Sequence, residues 1–203
     1  VATQDQAVRL KYIDTGVFDR GGSRTNRVEA EALTAEAVGR MQTWLTLPED
    51  QRPTLGVITF NQPQQKLIED LFDRARTAHP ELEWFFDDAR TAPTIVKNLE
   101  NVQGDERDVI LFSIAFGFDQ TGRFTRNFGA LNRDGGQRRL NVAVTRARQE
   151  MIVFASFRAE HLSIEGVQHQ GVVHLKNFLD YAERGPKALP AMDRGSVGSH
   201  DSP

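Results

Sequence analysis

The stretch Asp108-Val-Ile-Leu-Phe-Ser-Ile-Ala115 decides the fold. After Asp108 it is apolar at every position but Ser113, with no polar residue at alternate places. A strand of that composition is covered on both faces, as strands of parallel sheets are. Working outward, Leu55-Gly-Val-Ile-Thr-Phe60, Pro93-Thr-Ile-Val-Lys97 and Met151-Ile-Val-Phe-Ala155 read as further short strands. Residues 8–13 alternate apolar and charged and predict a strand near the start, and Glu81 to Phe86 is read as one more. Helical spacing appears between them. Ser23 is positioned to cap a helix carrying Val28, Ala32, Ala35, Val38, Met41 and Leu45, closed by Pro48 and Pro53. Gln62 to Arg76 places Leu67, Leu71 and Ala75 on one stripe, Gln137 to Arg148 forms a third helix, and Gly171 to Arg184 a last one ended by Gly185-Pro186. Strands alternating with helices predict an α/β domain with a largely parallel sheet.

The bulk numbers fit one domain. The chain has 203 residues, 39% of them hydrophobic and 26% charged, with a formal net charge of -3. That charge gives no global basic field to attract nucleic acid, although a local basic groove remains open. Cysteine is absent, so disulfides and thiolate metal sites are excluded, in keeping with a reducing, cytoplasmic setting. No apolar run reaches the roughly 20 residues needed to span a bilayer, and no signal peptide stands at the start. The opening Val1 and the loose run from Arg194 to Pro203 lead us to expect a piece of a longer polypeptide, with a domain over 1–185 and a flexible tail or linker over 186–203. His79, His161, His169, His174 and His200 show no ligand-spaced pair, and Trp44, Trp84 and the phenylalanines are expected in the core.

Two segments carry chemistry. In Lys97-Asn-Leu-Glu-Asn-Val-Gln-Gly-Asp-Glu-Arg-Asp108, Gly104 can take backbone angles closed to other residues, with Gln103, Asp105, Glu106 and Asp108 around it. Ligands of parallel sheets gather at such strand edges, and a carboxylate here could accept from a sugar hydroxyl. A solvated acidic turn is the alternative. In Arg138-Arg-Leu-Asn-Val-Ala-Val-Thr-Arg-Ala-Arg148, helical geometry would place Arg139 and Arg146 on nearly one line, about 10 Å apart, with Leu140, Val144 and Ala147 facing the sheet. Guanidinium groups so arranged suit a triphosphate or a nucleic-acid backbone. A surface helix with ordinary arginines is the alternative.

Together these segments resemble superfamily 1 DNA/RNA helicases, especially the subgroup that includes the nonsense-mediated-decay helicases. Val102-Gln-Gly-Asp-Glu-Arg-Asp-Val-Ile110 is similar to helicase motif V, the 138–148 segment to motif VI, and Gly56-Val-Ile-Thr-Phe-Asn-Gln-Pro-Gln64, more loosely, to motif IV. Their order and spacing agree with the family. Asn127 to Arg139 also resembles one branch of large bacterial helicase-related proteins. The resemblance covers about residues 12 to 184, with motif VI its most specific part. It implies the second, C-terminal RecA-like motor domain, a three-layer fold with a mostly parallel sheet. It further implies Arg146 as an arginine finger to the γ-phosphate, and Gln103, Gly104, Glu106 and Arg139 on the nucleotide side. Thr59 and Asn101 fall where the family touches the nucleic-acid backbone. Its partners would be an upstream RecA-like domain of the same polypeptide and single-stranded DNA or RNA. The subgroup points to 5′-to-3′ travel.

The sequence has no Gly-x-x-x-x-Gly-Lys-Ser/Thr phosphate loop and no Asp-Glu pair after an apolar strand. In the family both belong to the first motor domain, so ATP with Mg2+ is expected only in the full-length protein. By itself the chain is expected to hydrolyse ATP negligibly. Two rivals remain. A metal-dependent nuclease would use Glu100, Asp105, Glu106 and Asp108 with Lys97 nearby, but no acidic residue stands two before a lysine on a strand. A non-catalytic nucleic-acid- or protein-binding scaffold derived from a helicase half would not need motif VI intact.

Overall fold

The decisive stretch forms the third strand of a five-stranded sheet. In the computed structural model, which describes residues 7–185, β1 spans Ala7–Tyr12, β2 Leu55–Thr59, β3 Ile95–Asn98, β4 Arg107–Ser113 and β5 Ala147–Ala155. The strands lie in the order β1-β5-β4-β2-β3, and every pair is parallel. The five α-helices are α1 (Arg27–Trp44), α2 (Gln62–Ala78), α3 (Glu83–Phe86), α4 (Gly136–Val144) and α5 (Gln170–Arg184). Segment 186–203, expected as a tail or linker, lies outside the described residues.

Both faces of the sheet are covered, which makes the three-layer α/β RecA-like architecture. Ile110 and Phe112 of β4 pack under α4 and α5 with Leu140, Leu175 and Leu179. Val109 and Leu111 pack on the other face, under α1, α2 and α3, with Leu33, Met41, Phe72 and Phe85. Alternate side chains of one strand thus feed two cores, the reason its sequence is apolar throughout.

Four expectations are corrected. The cap of α1 is Asn26, whose side chain accepts from the Glu29 N–H, whereas the Ser23 hydroxyl bonds to Asp19 and Thr25. The buried stripe of α1 is accordingly Glu29, Leu33, Ala37, Met41 and Trp44, and Val28 lies at the surface. Glu81 to Phe86 is not a strand: it turns through a 3-10 segment at Pro80–Leu82 into α3. Among the described residues no partner strand meets it, and its aromatic rings are more fully used on a helix, where Phe85 packs on Trp44 and Phe86 on Phe72. Trp84 lies only half in the core, between the guanidinium groups of Arg52 and Arg90. Finally, α4 stops at Val144. The Thr145 hydroxyl donates back to the carbonyls of Asn141 and Val142, and Ala147 onward is taken by strand pairing to β4, then to β1. Arg139 and Arg146 therefore do not share one helical line.

The start of α4 is fixed by a close approach. A Cβ on Gly136 would stand 1.9 Å from the Leu131 carbonyl oxygen. Gly→Ala within a helix ordinarily gains up to about 1 kcal/mol. Here overlap with backbone costs about 1–3 kcal/mol and outweighs that gain. Gly136→Ala should therefore lower the urea midpoint of unfolding; an unchanged or higher midpoint would contradict the packing of α4.

Candidate nucleotide and nucleic-acid edges

Because all strands are parallel, their starts share one edge of the sheet and their ends the other. The chain between β3 and β4 leaves the carboxyl edge at Leu99 and returns to the amino edge at Glu106. It crosses under α4 and α5, with Leu99 and Val102 buried in that core. Gly104 turns it with φ of 78°, a conformation that strains any residue bearing a Cβ. Gln103, Gly104 and Glu106 are thereby delivered to the amino edge.

The segment after α4 arrives at the same place. The Arg107 N–H donates to the Arg146 carbonyl at 3.0 Å, joining the two chemical segments by their backbones. Arg148 reaches back over the join, 3.7 Å from the Glu106 carboxylate and 3.4 Å from that of Asp108. Arg146 is half-exposed on the rim. Its Nε donates to the Val142 carbonyl at 3.0 Å and an outer nitrogen to the Thr145 hydroxyl at 3.2 Å. The guanidinium thus rests on the carbonyl end of α4, where the helix dipole favours a cation. That perch lies at the half-exposed rim. Arg139 sits toward the opposite end of α4 and donates to the carbonyls of Ala130 and Asp134. The structure does not bring it beside Arg146.

Three of the four acidic residues of the nuclease rival, all but Asp105, are engaged with other partners. Glu100 pairs with Arg133 at 2.8 Å, Arg148 takes Glu106 and Asp108, and Asp108 also accepts from Thr54. Among the described residues, no group of three or more potential metal-ligating side chains is gathered.

The carboxyl edge holds a different arrangement, which the sequence reading missed. Asn26, Glu29, Gln64, Ser113 and Ser156 are all buried there and bonded to one another. Glu29 Oε1 accepts from the Ser113 hydroxyl and the Ala115 N–H, each at 2.7 Å, while Oε2 is buried without a hydrogen-bond partner. The signal was present: Asn26 and Glu29 stand three apart at a helix start, and Glu29 heads the apolar stripe of α1. Thr59 lies beneath this edge, buried, its hydroxyl donating to the Asn61 carbonyl. Asn101 is exposed, its side chain accepting from the Asn98 N–H at 2.7 Å.

Burial pushes the Glu29 carboxyl up to about 8, against its two hydrogen bonds, so the folded chain holds this group protonated at neutral pH. The unfolded group titrates near 4.5. Raising the folded value makes the native state bind the proton more tightly. Its stability contribution is full below pH about 4.5 and is lost as pH rises to about 8. Glu29→Gln, which imitates the protonated acid, should flatten stability between pH 4.5 and about 8 relative to the parent in urea titrations. Equal pH slopes for parent and variant would contradict a buried neutral acid.

A family model described as an AAA domain matches residues 5–158. The chain is 39% identical over 186 residues to the Uncharacterized ATP-dependent helicase MG140 of Mycoplasma genitalium, and 37% identical over 186 residues to its homolog in Mycoplasma pneumoniae. It is 31% identical over 102 residues to the protein named Probable RNA helicase armi of Drosophila melanogaster. These matches cover 90%, 90% and 50% of this chain but only 16%, 16% and 7% of the relatives. The chain therefore spans about one sixth of the length of the mycoplasma proteins.

Proposed function

The chain belongs to the AAA-domain family, and from that premise we propose that it is the second, C-terminal RecA-like motor domain of an ATP-dependent superfamily 1 helicase or translocase. The observation that carries the reading is the backbone join of Arg107 to Arg146, because it sets Glu106 and a half-exposed Arg146 side by side on one rim. Two relatives named as ATP-dependent helicases support it, and the subgroup assignment rests on the motif resemblance.

In this proposal ATP lies between an upstream RecA-like domain and the amino edge. Closure of the two domains brings Arg146 off its perch on Val142 and onto the γ-phosphate. There it stabilises the charge that builds on the transferring phosphoryl group. Glu106 accepts from the sugar hydroxyls, with Gln103 and Gly104 shaping the turn that presents it. Arg139 acts on the nucleotide side only indirectly, by holding the 130–134 loop at the start of α4. Mg2+ would neutralise phosphate charge in the intact protein. The Glu106 and Asp108 carboxylates already face Arg148, and the ligands of Mg2+ are expected in the upstream domain. Single-stranded DNA or RNA runs across the carboxyl edge, where Thr59 and Asn101 act through the turns at Asn61 and Asn98. Opening and closing of the cleft becomes stepping along the strand.

In the full-length protein Arg146→Ala should retain ATP binding and lower turnover by about a thousandfold or more. Unchanged turnover would remove the finger assignment. Multiple-turnover hydrolysis by this chain alone, which lacks a phosphate loop, would overturn the division of labour between the two domains.

A further inference from the structure

Among the described residues, two that bear a side chain hold a left-handed backbone: Arg24 at φ 58° and Ala115 at φ 65°. Such a conformation persists only where the surroundings enforce it, and it gathers at ligand clamps. Both residues lie at the carboxyl edge, and both are clamped. The Ala115 N–H donates to Glu29 and its carbonyl accepts from Asn26 Nδ2. The Arg24 N–H donates to the Asp19 carbonyl at 2.8 Å, and its own carbonyl accepts from Asn61 Nδ2 at 2.9 Å. The Arg24 side chain takes no part in this. It is exposed and has no hydrogen bond or ion pair among the described residues.

That guanidinium stands at a cavity of about 360 Å³ lined by Phe18, Arg20, Arg24, Phe116, Thr125 and Asn127. The Phe18–Phe116 ring pair, 4.8 Å between centroids, makes its floor. Arg20 is fixed in its wall by the Thr125 hydroxyl at 2.6 Å and by Asp119 at 3.3 Å. No carboxylate lines the cavity, so one charge is partly met and the other is not. Loop 17–25 supplies alternate residues to this cavity and to a groove of about 500 Å³ in which Lys66 is paired with Asp70, Arg27 with Glu31, and Asp19 adds a carboxylate, so the unmet positive charge lies in the Arg24 cavity.

We propose that the Arg24 cavity is a phosphate station on the path of the single strand, with the strained loop holding an unpaired guanidinium where the backbone passes. The inference rests on the motor reading above and adds to Thr59 and Asn101 a contact whose charged group reaches solvent.

Arg24→Gly separates fold from binding, because glycine takes positive φ without strain. The melting temperature of the variant should hold or rise by about 1–3 °C. In the full-length protein, fluorescence anisotropy with oligodeoxythymidine and oligouridine probes across a salt series should show affinity reduced about tenfold. The slope of log affinity on log salt should be shallower by about 1. ATP hydrolysis without nucleic acid should be unchanged, and Arg74→Ala on the exposed side of α2 should bind like the parent. Parental affinity and slope in Arg24→Gly would overturn the station while leaving the motor reading standing. A parent that binds neither probe would overturn both.

Discussion

A sheet whose strands all run one way has two edges that are chemically different, and everything proposed for this chain depends on that asymmetry. Strand starts bring backbone N–H groups and the segments that precede each strand; strand ends bring the loops that lead into helices. Here the amino edge carries arginines and carboxylates that face water, with Arg107 bonded to Arg146 at its centre. The carboxyl edge carries buried neutral polar groups, a protonated acid and two left-handed residues. The first suits exchange of partners during a reaction. The second suits a rigid base for the loops that the proposed single strand crosses.

Each connection between successive strands returns from the carboxyl to the amino edge, and two of them cross the same face. Residues 99–106 run from the end of β3 to the start of β4, and α4 likewise runs from the carboxyl side to end at Val144. Leu99, Val102, Leu140 and Ala143 bury together in one core, so neither piece shifts without the other. In the proposed motor this shared packing is the route by which a change at Arg146 reaches the strand. It is a rigid link rather than a flexible one, in keeping with the join of the two segments at the rim.

The fold was legible because β4 and β5 must satisfy two cores and their sequences say so. The two chemical segments meet at one edge of the sheet, but the local form of the second departs from its pattern. The 137–148 pattern is helical on periodicity alone, and the competition that ends α4 at Val144 comes from strands β1 and β4, far away in sequence. Glu81 to Phe86 misled for a similar reason: aromatic density fits a strand until no partner is there. At the carboxyl edge, Glu29 was overlooked because a carboxylate at a helix start is usually a surface feature favoured by the dipole. Its burial follows from Ser113 and Ala115, which no local pattern ties to it.

The finger assignment asks one guanidinium to trade the Val142 carbonyl for a phosphate. A structure of the full-length protein with ADP and aluminium fluoride, a mimic of phosphoryl transfer, observes that trade directly. The account predicts the Arg146 guanidinium about 3 Å from the fluorides and released from Val142, with the amino edge closing the cleft. Arg146 still resting on α4, with the nucleotide facing any other side of the sheet, would contradict it.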